Sequence, residues 1–199
     1  LVAHKDWWGH KAGINEGNLA EVILLPVKSN ATRLAALLSG EVDFLLDPPS
    51  QDVARLRASP AIKVIEGGEL RVQYVAFDVF RDDLLHGKAN GTNPFKDVRV
   101  RQAVAHAIDA EAIRAKVMRG FSKPVGSILV PEVQGYSAEA DRRLPYDRDK
   151  ARKLLAEAGY PDGFEVTLDA GNVQPAADIA QAVAAMLAQA GIKVRLNIV

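Results

Sequence analysis

Apolar residues recur along this chain at the three- and four-residue spacing of amphipathic helices, and a glycine commonly separates such a stretch from a short apolar run. In the clearest unit, Asp147 is a suitable N-cap and Gly159 a suitable stop for a helix. In a second unit, Pro175 suits the first helical position and Gly191 ends the helix. Each of these helices precedes an alternating segment that is typical of a strand.

Earlier parts of the chain follow the same order with shorter elements. Ser29 or Asn30 can cap a helix that ends at Gly40, and an apolar run follows that glycine. Ser50 can cap a shorter helix that ends at Pro60, again before an apolar run. The order of elements therefore predicts helices and strands in alternation.

Two further helices are predicted back to back. Asp97 caps the first, Asp109 caps the second, and Gly120 ends the pair. Before them, the polar segment 82–94 has the composition of a surface loop. The predicted strands are residues 42–46, 62–65, 70–79, 164–168 and 192–198. Helices that alternate with strands indicate an α/β fold in which helices pack on sheets.

The composition narrows the classes of partner. The 199 residues carry a formal net charge of +0, which favours neither nucleic acid nor an anionic membrane surface. The chain has no cysteine, so it forms no disulfide, thiolate metal site or cysteine nucleophile. No apolar run approaches the roughly 18 residues that a membrane-spanning helix needs.

No catalytic or metal-binding motif stands out in the sequence. Of the four histidines, His4, His10 and His86 show no ligand spacing with carboxylates. His106 falls on the polar side of its predicted helix, where a solvated or satisfied side chain is expected. No phosphate-binding glycine loop and no nucleophile elbow occurs. We therefore expect neither enzyme activity nor a cofactor.

Candidate ligand-binding residues lie in two places. The strand predicted over 70–79 mixes aromatic side chains with polar ones, as binding clefts do. An ordinary core strand is the alternative interpretation of that segment. Asp47-Pro48 follows the strand predicted over 42–46, and loops at strand ends commonly carry binding groups. The candidates are Asp47, Pro48, Arg71, Gln73, Tyr74, Phe77 and Asp78.

Several ordered motifs in this chain resemble those of one protein family. The motifs are Trp7-Trp8-Gly9, the helix and G-E-V-D sequence of residues 30–43, the D-V-R-V-R-Q-A signature of residues 97–109, Pro131 with Gly135-Tyr136, and the helix of residues 146–161. Together they resemble the extracellular solute-binding proteins of family 5, the peptide and nickel class that serves ABC importers.

This resemblance implies a partial two-lobed architecture of the type II periplasmic-binding-protein kind. Residues 1–69 would form part of the first lobe and residues 70–199 part of the second, a division that the glycine pair Gly67-Gly68 also indicates. The chain would be a fragment of a longer protein. In peptide-binding members, the acidic residue that meets the amino terminus of the ligand would then lie beyond Val199.

The resemblance also implies a function, a set of partners and a location. The protein would capture a peptide or similar small ligand and deliver it to the permease subunits of an importer. It would lie in the periplasm or outside the cell, touching the membrane only through the importer or through a lipid anchor on preceding sequence. The alternative is the ligand-sensing module of a transcriptional regulator. The sequence does not name the ligand.

Overall fold

The computed structural model describes residues 1–14, 17–89 and 91–199. Their backbone contacts divide the chain into two compact units, Leu1–Lys63 and Val64–Val199. The predicted lobes, residues 1–69 and 70–199, have a boundary close to this division. Those lobe limits stay a prediction about the longer protein.

The first unit is built from short helices. They are α1 (Trp8–Lys11), α2 (Asn30–Ser39), and α3 (Val53–Arg57), which a 3-10 turn over Ser50–Asp52 precedes. Ser29 caps α2, because its Oγ accepts a hydrogen bond from the Thr32 amide at 3.3 Å. Gly40 ends α2 in the left-handed conformation with a φ of 76°. Both predicted helices are present, but the predicted Ser50 cap is wrong: Ser50 lies in the 3-10 turn, and α3 has no side-chain cap.

The strands predicted over 42–46 and 62–65 are wrong. Neither segment pairs with another strand among the described residues, where the first unit shows one isolated bridge, Val2 to Glu21. Phe44 is 74% exposed and Leu46 67% exposed, so the first segment is not buried either. An apolar run forms a strand only where a neighbouring strand satisfies its backbone groups, and no described residue supplies one here.

The second unit holds a small sheet with helices packed against it. Its elements are β1 (Gly87–Lys88), a 3-10 turn (Pro94–Lys96), α4 (Val98–Ala107), α5 (Ala110–Ala112) with a π-helical continuation (Ile113–Val117), α6 (Arg148–Glu157), β2 (Phe164–Ala170), α7 (Ala176–Ala190) and β3 (Ile192–Ile198). This arrangement confirms the predicted α/β class.

The sheet has the order β1-β2-β3. Strands β2 and β3 run parallel in a register that pairs Phe164 with Ile192 and Ala170 with Ile198. A parallel pair needs a crossover, and α7 provides it. The turn into β2 passes so close to the end of α7 that a Cβ on Gly163 would lie 1.8 Å from the Gly191 carbonyl oxygen. Glycine at position 163 therefore permits the pairing.

The core of the second unit lies between α4, α6, α7 and the sheet. Val100 and Ala103 of α4 and Ala151 of α6 are fully buried, and Leu155 and Ile192 are each 1% exposed. The small residues let the helices approach closely, and the large ones are buried between them.

Local signals set the helix ends as the sequence predicts. The carboxylates of Asp97, Asp109 and Asp147 each accept a hydrogen bond at 2.8 Å from an amide two or three residues later. Each bond satisfies a donor that the first helical turn leaves unpaired. Pro175 lies at the N-cap of α7, one position before the predicted one.

His106 is buried, which contradicts its predicted place on a polar helix side. Only 2% of the residue is exposed, because the segment that leads into α6 crosses this face of α4. His106 Nδ1 lies 2.6 Å from the Pro145 carbonyl oxygen, and the His106 carbonyl accepts from the Asp147 amide at 2.9 Å. The expectation of a satisfied side chain is confirmed for Nδ1.

The segments 70–79 and 82–94 also differ from prediction. Residues 70–79 form no strand, since no described residue pairs with them. Part of the predicted loop is integrated into the fold: Gly87–Lys88 pairs antiparallel with β2, and Ala89 and Asn93 are buried. The loop was predicted from composition alone, and composition does not show which individual side chains of a segment become buried.

Asp141 organises the irregular segment that precedes α6. Its Oδ1 accepts from the amides of Gly126 at 2.5 Å and Ser127 at 3.0 Å, and its Oδ2 accepts from the Tyr136 hydroxyl at 2.9 Å. These bonds favour the charged carboxylate, the Gly126 bond most strongly, and they lower the pKa of Asp141. The carboxylate therefore ties together three turns that lack regular structure.

We expect Leu155→Ala in the full-length protein to lower the free energy of unfolding by about 2–5 kcal/mol, because it leaves a cavity in the core of the second unit. Chemical denaturation measures the change. Leu144→Ala is the matched control, since Leu144 is 42% exposed, and its effect should stay within about 0.5 kcal/mol. Equal effects of the two substitutions would contradict this account of the core.

Candidate functional site

The seven predicted ligand-binding residues fall in both units. Asp47 and Pro48 belong to the first unit, and Arg71, Gln73, Tyr74, Phe77 and Asp78 belong to the second. The structure therefore offers two separate candidate surfaces, and their joint role in one site stays a prediction.

The surface in the first unit is a turn with unusual backbone geometry. Asp47 has a φ of 51°, in the left-handed region that non-glycine residues seldom occupy. Pro48 is half-buried and Pro49 is buried. Just before the turn, Nη1 of Arg33 donates a hydrogen bond to the Leu46 carbonyl oxygen at 3.2 Å. The turn is therefore tied to helix α2.

A cleft of about 430 Å³ opens beside this turn, within the first unit. Leu34 and Leu38 of α2 form part of its wall, and Pro49, Gln51 and Asp52 form another part. Both apolar and polar side chains therefore line the cleft. Sequence reasoning missed it, because its two walls come from segments that no local pattern links.

The surface in the second unit begins with exposed side chains. Arg71 pairs with Glu69 at 2.6 Å, and both side chains are more than half exposed. Gln73 is exposed, and Tyr74 is 71% exposed. An arginine fork and an aromatic ring on one accessible segment can bind a carboxylate and an apolar or planar group.

Phe77 lies on the inner side of the same segment. Its ring centroid is 5.0 Å from that of Phe95, which in turn lies 5.8 Å from that of Phe164. Val75 packs against the same core. These contacts favour the core interpretation for Phe77, while Tyr74 faces away from the core. Gln73, in contrast, is exposed.

Asp78 closes the segment with a network of hydrogen bonds. Its carboxylate forms an ion pair with the Arg81 guanidinium and accepts from the amides of Phe80 at 3.1 Å and Arg81 at 3.3 Å. The side-chain hydrogen bond from Arg81 is the largest of the effects that lower the pKa of Asp78. Asp78 is thus charged at neutral pH, with its carboxylate committed to a local turn.

Asn93 is a buried residue at this site that sequence reasoning missed. It is 5% exposed, and its Nδ2 donates to the carbonyl oxygens of Asp78 at 2.8 Å and Arg81 at 3.0 Å. Its Oδ1 accepts from the Phe95 amide at 3.0 Å. The available signal was the dipeptide Asn93-Pro94, which is typical of a turn. The side chain fixes the end of segment 70–79 against the core.

The described residues hold no group of three or more histidine, aspartate or glutamate side chains arranged to bind a metal ion. None of the helices in residues 1–14, 17–89 and 91–199 is long and apolar enough to cross a membrane.

Comparison with known proteins identifies the family. All 199 residues match the model of the bacterial extracellular solute-binding proteins, family 5, Middle. The chain belongs to this family, which confirms the resemblance found in the sequence motifs. Members of the family are periplasmic or extracellular solute-binding proteins, and those that bind peptides work with the permeases of ABC importers.

Two curated relatives show how far the similarity extends. The chain is 34% identical over 164 residues to heme-binding protein A of Haemophilus influenzae, covering 82% of this chain and 27% of that protein. It is 32% identical over 173 residues to the glutathione-binding protein GsiB of Salmonella choleraesuis, covering 86% of this chain and 31% of that protein.

A solved structure supports the fold over the whole chain. It is the ABC transporter-associated periplasmic binding protein DppA of Helicobacter pylori in complex with the peptide STSA. The TM-score is 0.75 at 26% identity, covering 100% of this chain and 35% of that one. This chain therefore carries part of the two-lobed architecture, and it spans about a third or less of the length of these relatives.

We expect Arg81→Gln to raise the pKa of Asp78 toward its usual value of 3.8, because the guanidinium stabilises the charged form. Carbon-13 NMR titration of the side-chain carboxyl in full-length protein measures this pKa. Since the folded-state pKa is lowered, Asp78 stabilises the native state above the unfolded value. That stabilisation disappears as the pH falls through the folded value.

Lys96→Gln is the matched control for this titration. Lys96 forms an ion pair with Asp82, not with Asp78, so its removal should leave the pKa of Asp78 unchanged. A pKa of Asp78 that responds equally to both substitutions would show that general charge, rather than the Arg81 contact, lowers it.

Proposed function

We propose that the protein containing this chain is the solute-binding component of an ABC importer and captures a peptide or similar small ligand between two lobes. The match of all 199 residues to family 5 carries this proposal, and the similarity to DppA over the whole chain supports it. The comparisons do not support the alternative, a ligand-sensing module of a transcriptional regulator.

The ligand class follows from the relatives and from the exposed side chains. The relatives are named for heme and glutathione, and DppA was solved with a peptide. All three ligand types carry carboxylate groups. Arg71 is of the residue type that binds a carboxylate in a bidentate manner, and its exposed pair with Glu69 contributes little to stability. Tyr74 can cover an apolar or planar part of the ligand.

We also propose that the protein binds its ligand without catalysing a reaction. Four carboxyl groups with a lowered pKa, those of Asp78, Asp82, Asp97 and Asp141, each contact a structural partner. Catalytic acids and bases commonly have a pKa shifted toward the working pH, and these shifts run the other way.

The proposed location is the periplasm or the outside of the cell, where the permease subunits of the importer are the proposed protein partners. Contact with the membrane would occur through the importer, and a lipid anchor on preceding sequence is compatible with this arrangement. The net charge of +0 favours no nucleic-acid partner.

We expect the full-length protein to be stabilised in a thermal-shift assay by at least one of three probes: the tetrapeptide Ser-Thr-Ser-Ala, reduced glutathione or hemin. A ligand that binds the native state at a hundredfold excess over its Kd stabilises it by about 2.7 kcal/mol. Free serine is the control and should have no effect. Absence of any shift with all three probes would contradict the proposed ligand class.

We expect Tyr74→Ala in the full-length protein to raise the Kd for the best of these probes roughly tenfold, as the loss of an aromatic contact commonly does. Because Tyr74 is exposed, stability should change little. Phe77→Ala should raise the Kd as well, but with a loss of stability. Isothermal titration calorimetry measures both affinities.

Tyr146→Ala is the matched control, since Tyr146 is a 48% exposed tyrosine of the same unit outside the predicted site. Its Kd should equal that of the unaltered protein. If Tyr74→Ala and Phe77→Ala both leave the Kd unchanged, segment 70–79 has only a structural role.

A further inference from the structure

The turn at Asp47 has a backbone conformation that an aspartate followed by a proline does not favour. Asp47 has a φ of 51°, and the residue after it is Pro48. A left-handed conformation is uncommon without glycine, and a following proline restricts the backbone further. Such residues persist only where the surroundings hold them, and they cluster at ligand-binding sites.

The Arg33 side chain connects this turn to helix α2. Its Nη1 donates to the Leu46 carbonyl oxygen at 3.2 Å, and its Nη2 donates to Oδ1 of Asn30 at 2.5 Å. Helix α2 supplies both Arg33 and Asn30, and buried Leu34 on the same helix anchors it. The bond to Asn30 therefore holds the guanidinium in place, and the bond to the Leu46 carbonyl holds the turn.

The third nitrogen of this guanidinium, Nε, has an unusual environment. Arg33 Nε is buried, and it has no hydrogen-bond partner among the described residues. A buried donor without an acceptor opposes folding, so an apolar side chain would serve a packing role here at lower cost. The arginine is better explained by the two bonds that its other nitrogens make, one of which reaches the turn.

We propose that Arg33 is a positioning residue for ligand binding: it holds the Leu46 carbonyl and thereby keeps Asp47 and Pro48 in the conformation that contacts the ligand. The inference rests on the proposed function, because it assigns the Asp47 turn to the same ligand site. Arg33 acts through the turn, and its guanidinium need not touch the ligand.

The first measurement needs no ligand. Labelling leucine carbonyls with carbon-13 and aspartate amides with nitrogen-15 selects Leu-Asp pairs, which in this chain are Leu46-Asp47 and Leu168-Asp169. In full-length Arg33→Gln protein, the Leu46-Asp47 signal should shift, since its carbonyl loses a charged donor. The signal of Leu168-Asp169, in β2, should stay unchanged and serves as the internal reference.

The second measurement is calorimetry with whichever of Ser-Thr-Ser-Ala, glutathione or hemin stabilises the protein most. Arg33→Gln should raise the Kd about tenfold, the size expected for one lost hydrogen bond to a charged group. Arg33→Lys keeps the charge but lacks the planar fork of the guanidinium, so it should restore part of the affinity. Lys28→Gln removes an exposed charge just before α2 and should leave the Kd unchanged.

A double substitution separates positioning from a merely structural role. If Arg33 acts through the turn, adding Arg33→Gln to Asp47→Ala should raise the Kd by less than Arg33→Gln does alone. An unshifted Leu46-Asp47 signal, an unchanged Kd in Arg33→Gln, or independent effects in the double variant would each overturn the inference. Failure of the unaltered protein to bind any probe would overturn the proposed function and this ligand role together, and the NMR result would still decide whether Arg33 fixes the turn.

Discussion

The parallel pairing of β2 with β3 is the constraint on which the second unit depends. Parallel neighbours cannot be joined by a tight turn, so α7 must cross the sheet between them. That crossing gives α4 and α6 a surface to pack on, and it brings the start of β2 against the end of α7. The aromatic contacts from Phe164 to Phe77 then attach the candidate binding segment to the same sheet.

The sequence was informative wherever a structure depends on neighbouring residues. Asp97, Asp109 and Asp147 cap helices through amides two or three positions away, so the caps could be predicted one by one. The segments 42–46 and 70–79 have the composition of strands, but a strand also needs a partner. Composition contains no information on that partner, and no described residue pairs with either segment.

At the candidate site, the sequence indicated residue types that can bind ligands, but it did not indicate the contacts that hold those residues in place. Arg71 and Tyr74 are of residue types that bind ligands, and both proved accessible. Phe77 is of the same general type, yet its ring belongs to the core. Arg33 and Asn93 were missed because the groups they hold lie more than ten residues away in sequence. Contacts between residues so far apart in sequence arise from the fold, and they produce no periodic pattern in the sequence.

The buried Nε of Arg33 has a consequence for how this protein responds to selection. Replacing the arginine with an apolar residue removes an unsatisfied buried donor, which favours the folded chain, and it also removes the hydrogen bonds to the Leu46 carbonyl and to Asn30, which opposes folding. A screen for heat resistance alone would register only the sum of these two effects and would not report on the geometry of the Asp47 turn. Under the proposed role of Arg33, the unsatisfied donor is a cost to stability that ligand recognition requires.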